Sequence, residues 1–164
     1  MGPMQRSIRG GGRLKGSESG SQLLEAGLGL TVFCALLFLV VDTGWGVFVK
    51  ATLQHAVAEG VRYGVTGQTS GALGQTASIV AVVQLQAMGL LNGSQAGTIA
   101  VSFYEPNTLV QTSSNAGGNI LKVSVIDYQF TPLAPLLRSA APVSITASAT
   151  DIIESSPGGI APPI

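Results

Sequence analysis

The sequence predicts an α+β protein. A long N-terminal helix runs on into a small domain that holds a second helix and a three- to four-stranded antiparallel sheet. Three observations carry this expectation. Residues 23–41 (LLEAGLGLTVFCALLFLVV) are nineteen in a row that are apolar or small, except for Glu25. Beyond them no proline occurs before Pro106, and apolar residues recur at helical spacing as far as Val65. From residue 98 the pattern changes to alternation with a period of two, interrupted by turn residues.

Residues 1–20 (MGPMQRSIRGGGRLKGSESG) are rich in glycine, serine and bases and show no apolar period, which predicts a leader without a fold of its own. The glycines at 10–12 are not a phosphate loop, because no strand precedes them and no helix follows directly. The helix is expected over residues 21–65. Its first part, residues 23–41, matches the roughly 20 residues a helix needs to cross ~30 Å of hydrocarbon. Trp45 falls where an interfacial aromatic belongs, with Asp42 an interfacial acid just beyond the lipid. Further on, Phe48, Val49, Leu53, Ala56, Val57 and Val61 form an apolar stripe among Lys50, Gln54, His55, Glu59 and Arg62. That stripe must be covered, and the sheet is the expected cover. Residues 64–74 (GVTGQTSGALG) form a glycine-rich loop that ends the helix.

A second, amphipathic helix is expected over residues 75–91, closed by Asn92 and Gly93. Strands follow at 98–104, 119–130 and 143–153, with a turn at 112–118 and a proline-rich connector at 131–142 (TPLAPLLRSAAP). In the middle strand, alternation puts Ile120, Lys122, Ser124 and Ile126 on one face and Leu121, Val123, Val125 and Asp127 on the other. Residues 66–154 make up the folded domain, and residues 155–164 are expected to be a flexible tail.

Charge is sparse and balanced, but unevenly placed. Arg6, Arg9, Arg13 and Lys15 face only Glu18 in the first twenty residues, whereas the remainder has four bases against seven acids, a net charge of −3. Bases before a first span keep that side in the cytoplasm, so the domain is expected outside. With no basic patch beyond the leader, a nucleic-acid partner is not expected. The apolar run exceeds the 7–15 residues of a secretory signal and lacks a small-residue cleavage site at its end, so it is expected to stay attached. The one cysteine, Cys34, lies within the run, and the one histidine, His55, has no ligand partners in the sequence, so neither a metal nor another cofactor is expected. No Ser/His/Asp set or carboxylate pair converges in the domain, which argues against an enzyme.

Glu25 requires the most explanation. A charge at mid-bilayer costs about 2.5–3.5 kcal/mol on insertion scales, and less near the edge. A basic leader ending in Gly20, an acid at the fifth position after it and a helix that is apolar first and amphipathic later resemble the bacterial type IV pilin superfamily. The closest resemblance is to the TadE-like pseudopilins of the tight-adherence (Flp) pilus. It extends to Asp42-Thr43-Gly44, to Glu59-Gly60-Val61-Arg62-Tyr63, and to the Tyr128-Gln129-Phe130-Thr131-Pro132-Leu133-Ala134-Pro135-Leu136 element.

The resemblance implies a type IV pilin-like fold. It also implies a cut between Gly20 and Ser21 by a prepilin peptidase, Glu25 as the fifth mature residue pairing with an N-terminal amine, and family-motif roles for Asp42, Gly44, Glu59, Gly60, Arg62 and Tyr63. The implied partners are that peptidase, other pilins through the N-terminal helix, an inner-membrane assembly platform and the lipid bilayer. The chain departs from the family in having Gly27 and Gly29 where many members carry a proline, and in the acidic ending Asp151-Ile152-Ile153-Glu154. The alternative is an uncleaved single-pass membrane protein whose outer domain binds a ligand or an envelope protein.

Overall fold

The computed structural model describes residues 17–93, 96–132, 142–154 and 160–164, with backbone only at 17–19. The leader up to residue 16 and the connector at 133–141 lie outside the described residues. The chain divides into two compact units, Met1–Leu37 and Phe38–Ile164.

Helix α1 (Ser17–Val65, 49 residues) begins four residues earlier than the sequence suggests, so Gly20 and Ser21 lie within its first turns. In the first unit every described side chain from residue 20 to residue 33 is exposed. Thr31 satisfies its hydroxyl by donating to the Gly27 carbonyl one turn back, at 2.8 Å. Such back-bonding lets a polar side chain sit in a hydrocarbon-facing helix without an orphaned donor. Gly20–Val65 is the one helix among the described residues long and apolar enough to cross a membrane, and none of its most apolar stretch is buried in the protein.

The second unit contains the remainder of α1, helix α2 (Gln75–Gln86), a 3₁₀ turn (Leu90–Asn92) and strands β1 (Thr98–Tyr104), β2 (Gln111–Thr112), β3 (Ile120–Phe130) and β4 (Val143–Ile152). The strands form one antiparallel sheet in the order β2-β1-β3-β4. Helix α1 ends as expected at Val65, but Gly64 and Val65 are helical rather than part of the loop. The stop comes at Gly67, whose φ of +67° leaves the helix while its N–H bonds the Gly64 carbonyl at 3.1 Å. Helix α2 stops at Gln86, five residues short of expectation. Met88 and Gly89 both take positive φ, 52° and 84°, which a right-handed helix cannot continue through.

Strand β2 falls partly in the stretch that reads as a turn. A two-residue strand carries too little alternation to be seen in sequence. The β1–β2 connection holds Leu109 at φ +55° with its side chain 67% exposed. A non-glycine residue there costs about 1–2 kcal/mol, and glycine's greater freedom in the unfolded chain offsets part of that. Leu109→Gly is therefore expected to raise stability by about 0.5–1 kcal/mol, read as a higher melting temperature in detergent. An unchanged or lower midpoint contradicts this account of the turn.

Alternation in β3 holds only to Val125. One extra residue is inserted between Val125 and Tyr128 relative to their β4 partners Ala147 and Ile145, and Asp127 takes φ +60°. This bulge turns Asp127 out to solvent, where it accepts from Ser144 Oγ at 2.8 Å, and turns Tyr128 and Phe130 in. The core face of β3 is therefore Leu121, Val123, Val125, Tyr128 and Phe130, and Asp127 is not on it.

Against that face lies the outer part of α1. Val49, Leu53, Ala56 and Val57 are fully buried, as are Ile79 and Val83 of α2. Each large side chain of this kind contributes roughly 1.5–3 kcal/mol on burial. Phe48, expected in the stripe, is instead 43% exposed and stacks on Trp45, with ring centroids 5.2 Å apart.

Two glycines one helical turn apart set the packing distance. A Cβ on Gly60 would stand 2.5 Å from Val83 Cγ2. One on Gly64 would overlap Leu121 and stand 2.8 Å from Ile79 Cδ1. Close approach of α1 to α2 and β3 thus depends on both positions having no side chain.

Of the expected flexible tail, residues 155–159 lie outside the described residues. Residues 160–164 are docked rather than loose. The carbonyls of Pro162 and Pro163 accept hydrogen bonds from Asn115 Nδ2 and the Gln75 N–H, both at 2.7 Å.

Candidate functional site

The candidate residues fall into two sets, one in each unit. Gly20, Ser21 and Glu25 form the first, all exposed on α1. Among the described residues a Cβ on Gly20 would meet nothing within 4 Å, so their packing gives no reason for glycine there. Glycine also lowers helix propensity by about 1 kcal/mol relative to alanine. It stands close to the helix start at Ser17, where the ladder opens most easily. The 20–21 peptide bond is thus in a helix that unwinds there at low cost.

Glu25 lies one turn beyond Ser21, among Leu23, Leu24 and Leu28, which are 67–75% exposed. It takes no part in the one ion pair found among the described residues. On such an apolar, outward-facing surface a carboxylate is costly wherever water is not at hand to solvate it.

The second set is spread over the later part of α1. Asp42 is 3% exposed and is engaged by a partner, so it packs within the folded domain. The domain closes around the helix at this level. Asp42, Gly46 and Lys50 share a cavity of about 370 Å³ with Phe130, Pro132 and Ile145. Gly44, two residues on, is exposed, and a Cβ there would meet nothing.

Of the next four, Glu59, Arg62 and Tyr63 border one groove, and Gly60 turns the other way. Gly60 faces α2 and β3, as described above. Tyr63 is half-buried against the core. Glu59 and Arg62 meet at 4.0 Å on the surface, with Arg62 81% exposed, a geometry worth little in water. Together with Thr66, Val82 and Leu85 these side chains border an open groove of about 360 Å³. His55 is exposed on the neighbouring helix face.

Sequence reasoning passed over Gln75 and Asn115, forty residues apart and both buried. Asn115 Nδ2 donates to Gln75 Oε1 at 2.6 Å, and Gln75 Nε2 donates to the Gly64 carbonyl at 2.7 Å. In sequence Gln75 reads only as a helix start and Asn115 only as a turn residue. Nothing local marks either for burial.

Residues 20–62 match the family model described as TadE-like protein. The match begins at the expected scissile glycine and spans Glu25, Asp42, Gly44, Glu59, Gly60 and Arg62, in keeping with the resemblance drawn from the sequence. No curated protein and no solved structure matches the chain.

Proposed function

We propose that this chain is a TadE-like minor pilin or pseudopilin of a tight-adherence pilus. It acts in priming, tip formation or biogenesis rather than in catalysis. It is a single-pass protein of the bacterial inner membrane, with its leader in the cytoplasm and residues 66–154 outside. Prepilin peptidase cuts it between Gly20 and Ser21. The observation that carries this reading is the family match running from Gly20 through Glu25 on a helix whose most apolar stretch is not buried in the protein.

The chemistry follows from the charges. Cleavage removes Arg6, Arg9, Arg13, Lys15 and Glu18 and leaves an amine at Ser21 with an ordinary pKa near 8, cationic at neutral pH. Within one helix that amine and Glu25 are offset by one turn, about 6 Å along the axis. Between staggered subunits the amine of one chain can meet the carboxylate of the next. In a low-dielectric setting a paired charge is much preferred to two separate ones. The pairing then fixes the axial register of neighbouring helices. An assembly platform and other pilins, reached through α1, are the partners this requires.

N-terminal sequencing of the protein extracted from its native membrane tests the reading. A mature start at Ser21, dependent on the peptidase, is expected. An intact leader in peptidase-positive cells would favour the uncleaved single-pass alternative.

A further inference from the structure

We propose that Gly74, Gln75 and Asn115 form a binding slot for an extended Pro-Pro-Ile peptide, which residues 160–164 fill within the chain. The chemistry of the occupant and that of the slot correspond. Prolines have no N–H, so a Pro-Pro step offers only carbonyl acceptors. The slot offers donors at both carbonyls, Asn115 Nδ2 to Pro162 and the Gln75 N–H to Pro163, each at 2.7 Å. The second proton of the Asn115 amide goes to Gln75 Oε1, and Gln75 Nε2 is committed to the Gly64 carbonyl. Both amides are therefore locked in orientation. With the peptide in place the two residues are 0% and 4% exposed, so its carbonyls rather than water satisfy these donors. A Pro-Pro segment is stiff before it binds, so little conformational freedom is lost on docking.

Gly74 supplies an independent argument. Its φ of −65° and ψ of 167° are open to any residue, so the backbone does not call for glycine. The peptide does. A Cβ at this position would stand 2.5 Å from the carbonyl carbon and oxygen of Ile164. Ile164, still 58% exposed, borders an open groove of about 500 Å³ with Thr76, Phe103, Gln111 and Thr112. Through Gln75 the slot is tied to Gly64, so its occupancy braces the junction of α1 and α2.

The test uses the detergent-solubilised chain with and without residues 160–164, and a labelled Ile-Ala-Pro-Pro-Ile peptide. Saturable binding to the shortened chain is expected, with binding to the intact chain at least about tenfold weaker because the slot is already filled. Gly74→Val should abolish peptide binding. It should also lower the melting temperature of the intact chain and leave that of the shortened chain unchanged. A shortened chain that is folded by circular dichroism yet does not bind the peptide overturns the proposal, as does an equal effect of Gly74→Val in both backgrounds. Should the shortened chain not fold, amide exchange in the intact chain decides. Protection of the Gln75 N–H is expected to be lost in Gly74→Val, and retained protection overturns the slot.

Discussion

An alanine at position 64 is expected to lower the stability of the domain by about 1–3 kcal/mol, whereas the same change at position 44 is expected to raise it by up to about 1 kcal/mol. Both glycines lie inside α1, so helix propensity favours alanine equally at each. The environment reverses the sign at only one of them. At Gly44 the new methyl meets nothing among the described residues; at Gly64 it overlaps Leu121 and stands 2.8 Å from Ile79 Cδ1.

Neither neighbour can withdraw cheaply. Leu121 is fully buried in β3, held on one side by Phe103 of β1 and on the other by β4, and Ile79 is fully buried in α2. Any shift of α1 also strains the bond from Gln75 to the Gly64 carbonyl. Since folded domains keep only about 5–15 kcal/mol in total, such a loss is readily seen as a lower thermal midpoint in detergent. Equal midpoints for Gly44→Ala and Gly64→Ala would mean that α1 does not depend on this contact.

Glu25→Ala is expected to leave membrane insertion intact, or to ease it, and to reduce surface pili by two orders of magnitude or more. Insertion responds to the removal of a charge from an apolar run, which is favourable. Assembly responds to the loss of a partner. Breaking a desolvated ion pair from one side costs about 3–5 kcal/mol, equivalent to about two to three and a half orders of magnitude in a binding constant. Fractionating membranes and quantifying sheared fibres separates the two effects. Normal piliation by the variant would show that Glu25 has no part in subunit register, while a mature start at Ser21 would still stand by itself.

Much of the fold could be read from the chain because it is written in local periods. The helix end at Val65, strand β1, and most of β3 and β4 follow from spacing alone. The departures are where distant residues decide. The reading of β3 assumed an unbroken period of two, and the one inserted residue at the bulge inverted every face after it. Gly64 looked like loop composition because its neighbours in sequence are glycine, serine and threonine. Its neighbours in space are Ile79 and Leu121.

The sequence predicts a loose tail because proline and glycine cannot build a helix or an inner strand, yet the same prolines suit a slot made of donors. Asp42 sits where an apolar run ends, and sequence cannot show that the domain closes around that point. Of the candidate site, the identities of Gly20, Ser21 and Glu25 were legible. The separate duties of Glu59, Gly60, Arg62 and Tyr63 were not, because adjacent positions on a helix face different surroundings.

The extra residue at Asp127 acts as a phase change along its strand. A relative that lost this residue would keep every downstream side chain in phase, whereas one that kept the length but paired without the bulge would have to exchange the chemistry of everything downstream as far as Phe130, placing greasy side chains where this chain has charged or amide ones and the reverse. Alignments that slide a gap freely through residues 126–128 will therefore mispair inward and outward positions.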